Sequence, residues 1–421
     1  MIKTVSNEAF TQNFTKYVNS AVENKRFFTG VDMPLDPKPY DVWQFKDPKT
    51  GNLLGVRVYM PFQEILNGLC DFDKSLVADM PNTYLWYTAA LKPDSKFYLD
   101  AIPNFDKNFV PDRRHVLKLL NLISKPVIEG AGRGYYGFGE AGIGKTSTAL
   151  WLFAVTNTAV IHMNCKADMV SEEFFVFQTS RDGKWVQAHG SVLQAIENNW
   201  PIVIDELDLA PDSFWPSINN LVEGRSFAVP GLEHLHVQAG TNFRLIGFGN
   251  TGPGSNIGKY NGRSSIDSSF FDRMVKDYYE TLTKEQFYNI ISKRFKNSIN
   301  DEILKNISTF AENINNSALN DSFSEMLSPR SLIAICQDLI DYKDCCLNPL
   351  MTAIGNALGS VLNDEESEEL LLNIYASTIC DNVMDINDLT FAWKNRDRSP
   401  LYLENLDKTN SDEEKASDEA A

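Results

Sequence analysis

The sequence predicts an α/β domain with a largely parallel sheet, preceded by a mixed α+β region and followed by an all-helical region. Short apolar runs alternate with helix-length segments between about residues 111 and 282, which is typical of a parallel sheet flanked by helices. From residue 283 to about 395, apolar residues recur at the i, i+3, i+4 spacing of amphipathic helices. We therefore expect four regions: an N-terminal accessory domain over 1–110, the α/β domain over 111–282, a helical domain over 283–400 and an acidic tail over 401–421.

The N-terminal region contains one recognisable hairpin. Turn-forming residues over 47–52 separate the apolar run 42–45 from the alternating, β-branched run 53–59. Prolines recur from Pro34 to Pro103, which argues against long helices in this region. No motif here indicates a reaction or a ligand.

Apolar runs and periodicity predict the elements that follow. Buried strands are expected at 135–138, 159–163, 202–204 and 244–248, with helices at 191–198 and 213–222 between them. The C-terminal helices are expected at 285–295, 301–313, 331–342, 350–362 and 366–378. Residues 404–421 are acidic and nearly free of large apolar side chains, so we expect a disordered, solubilising tail.

The composition is that of a folded, acidic protein. With 43% hydrophobic and 23% charged residues among 421, the chain can build a core without disulfides or structural metals. Its 39 Lys and Arg against 56 Asp and Glu give a net charge of −17, which disfavours binding to a nucleic-acid backbone. The chain has no apolar run of membrane-spanning length and no signal pattern at its N-terminus. We therefore expect a cytoplasmic protein with reduced cysteines.

The strongest motif is a phosphate-binding loop that starts at Gly139. The eight residues 139–146 match G-x-x-x-x-G-K-[ST], with an apolar strand before them and a helical segment after them. Backbone N–H groups of such a loop converge on phosphate oxygens at a helix N-terminus. Lys145 would reach the β- and γ-phosphates, and the Thr146 hydroxyl would bind Mg²⁺. The alternative, a glycine-rich turn with a chance lysine, does not account for the flanking strand and helix.

The residues expected to hold the nucleotide follow from this motif. They are Gly139, Glu140, Ala141, Gly142, Ile143, Gly144, Lys145, Thr146 and Ser147.

Two further apolar strands end in polar residues. Residues 202–204 lead into Asp205, which can hold Mg²⁺, and Glu206, which can polarise the attacking water. Such acidic residues also favour helix N-termini, so this pattern gains its weight from its position after the loop. Asn250 ends the run 243–249 and could orient the same water, although a turn-forming asparagine is the alternative.

Together these motifs resemble an AAA+ ATPase of the MoxR/dynein-related branch. Residues 243–274 (FRLIGFGNTGPGSNIGKYNGRSSIDSSFFDRM) are similar to the segment from sensor 1 to the arginine finger in the CobS subunit of cobaltochelatase. Residues 200–231 are similar to the Walker B region of the same group, and residues 326–333 (MLSPRSLI) look like its sensor-2 start. The resemblance covers roughly 125–380 and leaves out the N-terminal region.

The resemblance implies ATP and Mg²⁺ as cofactors and a role for each matching residue. Thr146 and Asp205 fall on the magnesium ligands, Glu206 on the catalytic base and Asn250 on sensor 1. Two arginines complete the set. Arg273 falls on the arginine finger, which acts on the nucleotide of a neighbouring subunit, and Arg330 falls on sensor 2. A finger that acts in trans implies a homo-oligomeric ring, with six subunits as the expected number.

The same branch carries two inserted hairpins that face the ring surface or pore. Residues 175–187 and 226–241 look like these hairpins. Glu173-Phe174-Phe175 replaces the usual turn of the family, and its aromatic side chains either grip substrate in the pore or pack in the core, which their residue type favours.

The resemblance implies ATP hydrolysis that remodels a protein partner, and in this branch the partner often carries a von Willebrand factor A domain. The alternatives are a GTP-using nucleic-acid motor of the McrB restriction type and a nucleotide-dependent scaffold that does not hydrolyse. His234 and His236 share one face of a predicted strand, but a zinc site needs further ligands and none is nearby in the sequence.

Overall fold

The computed structural model describes residues 8–69, 72–80, 82–253, 268–320, 326–358 and 386–400, together with residues 266, 322–323, 366, 370 and 375. The chain divides into two compact units, Met1–Glu280 and Thr281–Ala421. Residues 1–110 share the first unit with the α/β region, and their independence as an accessory domain stays a prediction. Most of the predicted helix 366–378 and the whole acidic tail lie outside the described residues.

The first unit begins with a helix and a four-stranded sheet. Helix α1 spans Glu8–Glu23, and the strands are β1 (Phe27–Gly30), β2 (Val42–Lys46), β3 (Leu53–Pro61) and β4 (Tyr84–Leu91). Strand β1 runs parallel to β2, whereas β2, β3 and β4 form an antiparallel meander. The predicted hairpin is confirmed by the pairing of β2 with β3. The expectation of no long helix is wrong for α1, because the prolines begin only at Pro34.

Short helical segments lie between β3 and β4 and between β4 and the next sheet. They are α2 (Phe62–Gly68), a 3₁₀ turn at Lys74–Val77, α3 (Lys96–Asp100) and α4 (Arg113–Ile123). Helix α4 starts after Asp112, whose side chain accepts a hydrogen bond from the backbone N–H of Arg114. This contact satisfies one of the N–H groups that a helix N-terminus leaves without a partner.

In the second half of the unit, the described residues form nine strands and four helices. The strands are β5 (Gly134–Gly139), β6 (Ile161–Asn164), β7 (Val176–Arg181), β8 (Lys184–His189), β9 (Ile202–Asp205), β10 (Phe227–Val229), β11 (Leu232–Val237), β12 (Leu245–Gly249) and β13 (Met274–Tyr279). The helices are α5 (Lys145–Val155), α6 (Ser191–Asn198), α7 (Phe214–Val222) and α8 (Ser268–Asp272). Two 3₁₀ turns lie at Ser171–Phe174 and Leu207–Leu209.

Five of these strands form one parallel sheet in the order β13-β5-β12-β9-β6. The other four pair as two antiparallel hairpins, β7 with β8 and β10 with β11. The four predicted strands and the two predicted helices are therefore confirmed with small shifts at their ends. The parallel sheet with helices around it confirms the predicted α/β fold class.

One hydrophobic core joins the two sheets of the first unit. It includes Val58 of β3 and Tyr87 of β4 together with Leu152 of α5 and Ile246 of β12, all of them buried. A second core forms between the parallel sheet and α6 and α7, on the side that carries the hairpins. The N-terminal sheet therefore packs against the helix that follows the phosphate-binding loop.

The second unit is helical throughout its described part. Its helices are α9 (Lys284–Phe295), α10 (Asp301–Leu319), α11 (Pro329–Asp341), α12 (Pro349–Leu358) and α13 (Ile386–Lys394). Thr283 caps α9 in a reciprocal contact with Gln286, and the helices enclose their own apolar core. Four of the predicted helices are confirmed, and α10 runs further than its pattern indicated. No described helix is long and apolar enough to cross a membrane.

Candidate functional site

The candidate site lies where three strands of the parallel sheet end. Strand β12 lies between β5 and β9, with Gly249 paired to Phe138 and Gly247 paired to Ile204. Because the strands are parallel, their carboxyl ends meet at one edge of the sheet. The loop after β5, the carboxylates after β9 and Asn250 after β12 therefore come together.

The loop after β5 takes a shape that needs glycine. Gly144 has φ +91° and directly precedes α5, so it starts the helix from the left-handed region. At Gly139, which has φ +146°, an added Cβ would lie 2.3 Å from the carbonyl oxygen of Tyr279. The remaining loop residues are arranged with Ala141 and Ser147 exposed and with Glu140, Gly142 and Ile143 partly buried. The loop thus presents the first N–H groups of α5 to a ligand.

Lys145 is buried and lies in the middle of the site. Its ammonium donates hydrogen bonds to the carbonyl oxygens of Gly139 at 2.8 Å and Glu140 at 2.7 Å, and to Oδ1 of Asn250 at 3.0 Å. Burial lowers the pKa of Lys145 to about 8, against the opposing effect of nearby carboxylates, of which Glu206 is the strongest. The side chain therefore remains a cation at neutral pH, and it joins the loop to the end of β12.

Thr146 and Asp205 are in direct contact. The Thr146 hydroxyl donates a hydrogen bond to Oδ1 of Asp205, and Nε2 of His162 lies 3.1 Å from Oδ2 of the same carboxylate. Mg²⁺ usually takes one or two protein oxygens and completes its shell with phosphate and water. This oxygen pair fits such an ion. His162 was not expected here, because the neighbouring position of β6 beside β9 follows from the strand order and not from a local motif.

Glu206 adopts an unusual backbone conformation. Its φ of +53° and ψ of +35° lie in the left-handed region, which is uncommon for a residue with a side chain. The residue follows β9 directly and is partly exposed. The turn therefore separates the direction of Glu206 from that of Asp205, which ends the strand.

Asp208 organises the loop after β12, and the sequence analysis did not identify it. It is fully buried, and its Oδ2 accepts hydrogen bonds of 2.9 Å from the backbone N–H groups of Asn250 and Thr251 and from the Thr251 hydroxyl. The hydroxyl of Tyr136 on β5 donates to the carbonyl of Thr251 at 2.7 Å. In the sequence, Asp208 stands out as a charged residue inside the apolar stretch 207–210.

Of the two predicted arginines, Arg273 lies in the same unit as these residues but makes none of the contacts described above. Arg273 follows α8, and its Nε and Nη1 donate hydrogen bonds of 2.6 Å to Oε1 of Glu223 and to the carbonyl oxygen of Ser269. Arg330 is an exposed residue in the first turn of α11, in the second unit. Sequence motifs alone assign both arginines to a nucleotide.

Several other expectations can be compared with the structure. Phe174 and Phe175 are fully buried, with the ring of Phe174 centred 4.1 Å from that of Phe214, so they pack in the core and do not grip a substrate. His234 and His236 are exposed on β11, and the described residues contain no group of three side chains suited to a metal. Burial raises the pKa of the Cys165 thiol near the site to about 12, which disfavours the reactive thiolate form.

The fold and this arrangement define an α/β domain of the P-loop class. Residues 138–274 match the family described as AAA domain (dynein-related subfamily). The matched stretch runs from the end of β5 to the start of β13, and with the parallel sheet it indicates an AAA+ module in this part of the chain.

Relatives and solved structures show weaker similarity. Uncharacterized proteins of Staphylococcus haemolyticus and Staphylococcus aureus are each 24% identical over 241 residues, which is 56% of this chain and 86% of theirs. The Thermotoga maritima RuvB Holliday junction branch migration motor aligns with a TM-score of 0.37 and 13% identity, over 69% of this chain and 87% of that one. NtrX from Brucella abortus aligns with a TM-score of 0.36 and 16% identity, over 63% of this chain and 64% of that one.

Proposed function

We propose that this protein is a Mg²⁺-dependent ATPase that works as a ring of identical subunits and remodels a protein partner, as MoxR- and CobS-type proteins do. The observation that supports hydrolysis most directly is the convergence of Lys145, Asn250, Thr146 and Asp205 at one edge of the sheet. A glycine-rich turn with a chance lysine does not explain why side chains at the carboxyl ends of three different strands make these contacts.

Each residue has a defined task in this proposal. The loop N–H groups and Lys145 bind the phosphates, while Thr146 and Asp205 bind the ion. Glu206 accepts a proton from the attacking water, and the Asn250 amide orients that water. ATP supplies the phosphoanhydride bond that is hydrolysed, and Mg²⁺ partly neutralises the charge of its phosphates. The contribution of the protein is positioning and electrostatic stabilisation, without a covalent intermediate.

The position of Arg273 supports a shared active site. The carbonyl of Arg273 accepts a hydrogen bond from the N–H of Gly134, at the start of β5, whereas the phosphate-binding loop follows Gly139 at the other end of that strand. Five residues of strand span about 17 Å. Because an arginine side chain is much shorter than that, Arg273 serves a neighbouring subunit in this proposal, and the active site lies between two subunits.

The exposed hairpin β7–β8 supports an interaction with a protein. Trp185 is 77% exposed, and Phe177 and Val186 are also exposed. Phe177 and Val186 share one face of the hairpin, and Trp185 lies on the other. Clustered apolar side chains at the surface often mark a binding site. We propose that a partner, which in the branch resembled often carries a von Willebrand factor A domain, binds through this hairpin.

The decisive test is phosphate release by the full-length protein and by its Glu206→Gln variant. We expect wild-type protein to hydrolyse ATP only with Mg²⁺. The variant should bind ATP but hydrolyse it at least about 10²-fold more slowly, since an amide cannot accept the proton. Glu172→Gln, which changes an exposed carboxylate of the same domain, is the control and should keep the wild-type rate.

Two outcomes would contradict the proposal. Equal ATP turnover by Glu206→Gln and wild-type protein would show that Glu206 is not the base. A strong preference for GTP, together with stimulation by DNA, would favour the restriction-type motor.

A further inference from the structure

A small cavity lies between the N-terminal sheet and the parallel sheet of the first unit. It has about 20 Å³ of space for the centre of a water-sized sphere. Its polar lining comes from β3, β4, the end of α5 and the segment before β12, through Arg57, Trp86, Thr156, Thr158, Asn242 and Arg244. The rest of the lining is apolar. Two arginines therefore line the same space.

Arg244 is buried, and none of its partners among the described residues is negatively charged. It is 3% exposed, and its Nε donates to the carbonyl of Leu122 at 3.0 Å. Its Nη1 donates to the carbonyls of Thr241 at 3.0 Å and Phe243 at 2.6 Å, and Nη2 takes part in none of these bonds. Burial lowers the pKa of Arg244 to about 9, so the guanidinium still carries its charge at neutral pH.

Arg57 is in the same situation. It is 2% exposed and donates to Oγ1 of Thr88 at 3.2 Å, to Oδ1 of Asn242 at 3.3 Å and to the Tyr98 hydroxyl. Its guanidinium also lies 4.7 Å from the ring centre of Phe45. All of these groups are neutral. Among the residues that the structure describes, no carboxylate pairs with either arginine of the cavity.

A third donor of the cavity has no acceptor. Trp86 is 4% exposed, and its Nε1 has no hydrogen-bond partner within the described part of the chain. Buried donors are nearly always paired with protein or ordered solvent, and buried charges are nearly always paired with an opposite charge. An unpaired indole N–H and two unpaired guanidinium charges around one space indicate an absent acceptor that is itself negative.

We propose that this cavity binds a chloride ion between Arg57 and Arg244. A chloride offsets the two buried positive charges and can accept hydrogen bonds from the arginines and from Trp86. The size of the cavity supports a monatomic ion, because one water needs about 10–15 Å³ on the same measure and a four-oxygen phosphate needs much more. The net charge of −17 does not oppose this, because the local charge governs the interaction at a buried site.

The bound ion would stabilise the packing of the four-stranded N-terminal sheet against the parallel sheet. Arg57 and Trp86 belong to β3 and β4, whereas Arg244 directly precedes β12, which leads to Asn250 at its other end. Chloride is thus a structural ligand of the first unit, and its binding does not depend on ATP hydrolysis.

Thermal unfolding of the full-length protein in chloride and in gluconate, at one fixed ionic strength, tests the proposal. We expect Tm to rise with chloride and to level off as binding saturates, because a ligand of the native state adds stability with the logarithm of its concentration. Gluconate is too large for the cavity and should give no such rise. In crystals soaked in bromide, we expect one anomalous peak inside the cavity, between the two arginines.

Variants separate this site from general salt effects. Arg57→Gln should abolish the chloride response, and Trp86→Phe, which removes the N–H and keeps an aromatic ring, should raise the apparent Kd about tenfold. Arg113→Gln, which changes an arginine that pairs with Asp79 at the surface, should respond as wild-type protein does. The proposal is overturned by equal Tm values in chloride and gluconate, by an unchanged chloride response in Trp86→Phe, or by bromide-soaked crystals without a peak in the cavity. The last two measurements remain decisive if Arg57→Gln does not fold.

Discussion

Asp208 shows how a single buried carboxylate can set the geometry of the candidate site. Three hydrogen bonds from the residues after β12 end on one oxygen of this side chain. Those bonds fix the backbone of Asn250, whose side chain in turn contacts Lys145. In the proposed ATPase, Asp208 is therefore a positioning residue that acts through Asn250.

We expect Asp208→Asn to lower kcat for ATP about tenfold and to lower the free energy of unfolding by about 1–3 kcal/mol. An amide oxygen is a weaker acceptor than a carboxylate, and the amide N–H₂ would face the same N–H donors. Steady-state phosphate release and denaturant unfolding measure the two effects. Asp212→Asn, an exposed change nearby, is the control, and equal values for the two variants would contradict the positioning role.

The sequence predicts those site residues that belong to a local motif. Lys145, Thr146 and Asp205 could be assigned because each stands at a fixed distance from a strand end. Asp208 and His162 could not, because their partners are determined by the order of the strands. His162 lies beside Asp205 only because β6 pairs with β9.

At the scale of elements, a buried charge explains why the apolar pattern of the sequence did not predict strand β13. Strand β13 contains Asp277, which is 1% exposed and accepts hydrogen bonds from Lys118 and the Tyr135 hydroxyl and lies 2.8 Å from Nδ1 of His115. Burial raises the pKa of Asp277, but these hydrogen bonds outweigh it and hold the pKa below its usual value. A charge among the apolar residues of a strand interrupts the pattern on which prediction depends. The hairpin β7–β8, by contrast, was expected from the family resemblance, and the structure places its turn at Asp182 and Gly183, both with positive φ.

The exposed Trp185 of β8 leads to a prediction about this hairpin. We expect Trp185→Ser to leave Tm and the basal ATPase rate nearly unchanged, since an exposed substitution costs less than about 0.5 kcal/mol. The same change, introduced into the Glu206→Gln protein, should remove the partner that co-purifies in the presence of ATP. Quantitative mass spectrometry of both samples measures this loss.

Trp185→Phe keeps an aromatic side chain at the hairpin and is the matched control for that experiment. It should retain the partner. Recovery of the same protein in equal amount with Trp185→Ser would show that the hairpin is not the docking site.

At the scale of the whole molecule, the first unit places its phosphate-binding residues and Arg273 at opposite ends of the parallel sheet. Lys145 and Asn250 lie at the carboxyl ends of the parallel strands, and Arg273 lies next to the amino end of β5. A subunit with this arrangement cannot complete its own site with Arg273. In the proposed ring, each subunit supplies the arginine to one neighbour and receives one from the other, so hydrolysis depends on assembly.

Mixing two inactive variants tests this shared site. We expect Lys145→Ala and Arg273→Ala each to be nearly inactive alone, because loss of an arginine that acts in trans costs about 10³–10⁵ in rate. After subunit exchange, their mixture should regain activity, since an Arg273→Ala subunit keeps Lys145 and receives Arg273 from a Lys145→Ala neighbour. Phosphate release across a series of mixing ratios should be highest near equal amounts.

A mixture of Lys145→Ala with Glu206→Gln is the control and should stay inactive, because those two residues serve the same nucleotide. Activity no higher than in that control, in rings whose assembly is verified by sedimentation, would contradict a site formed between subunits.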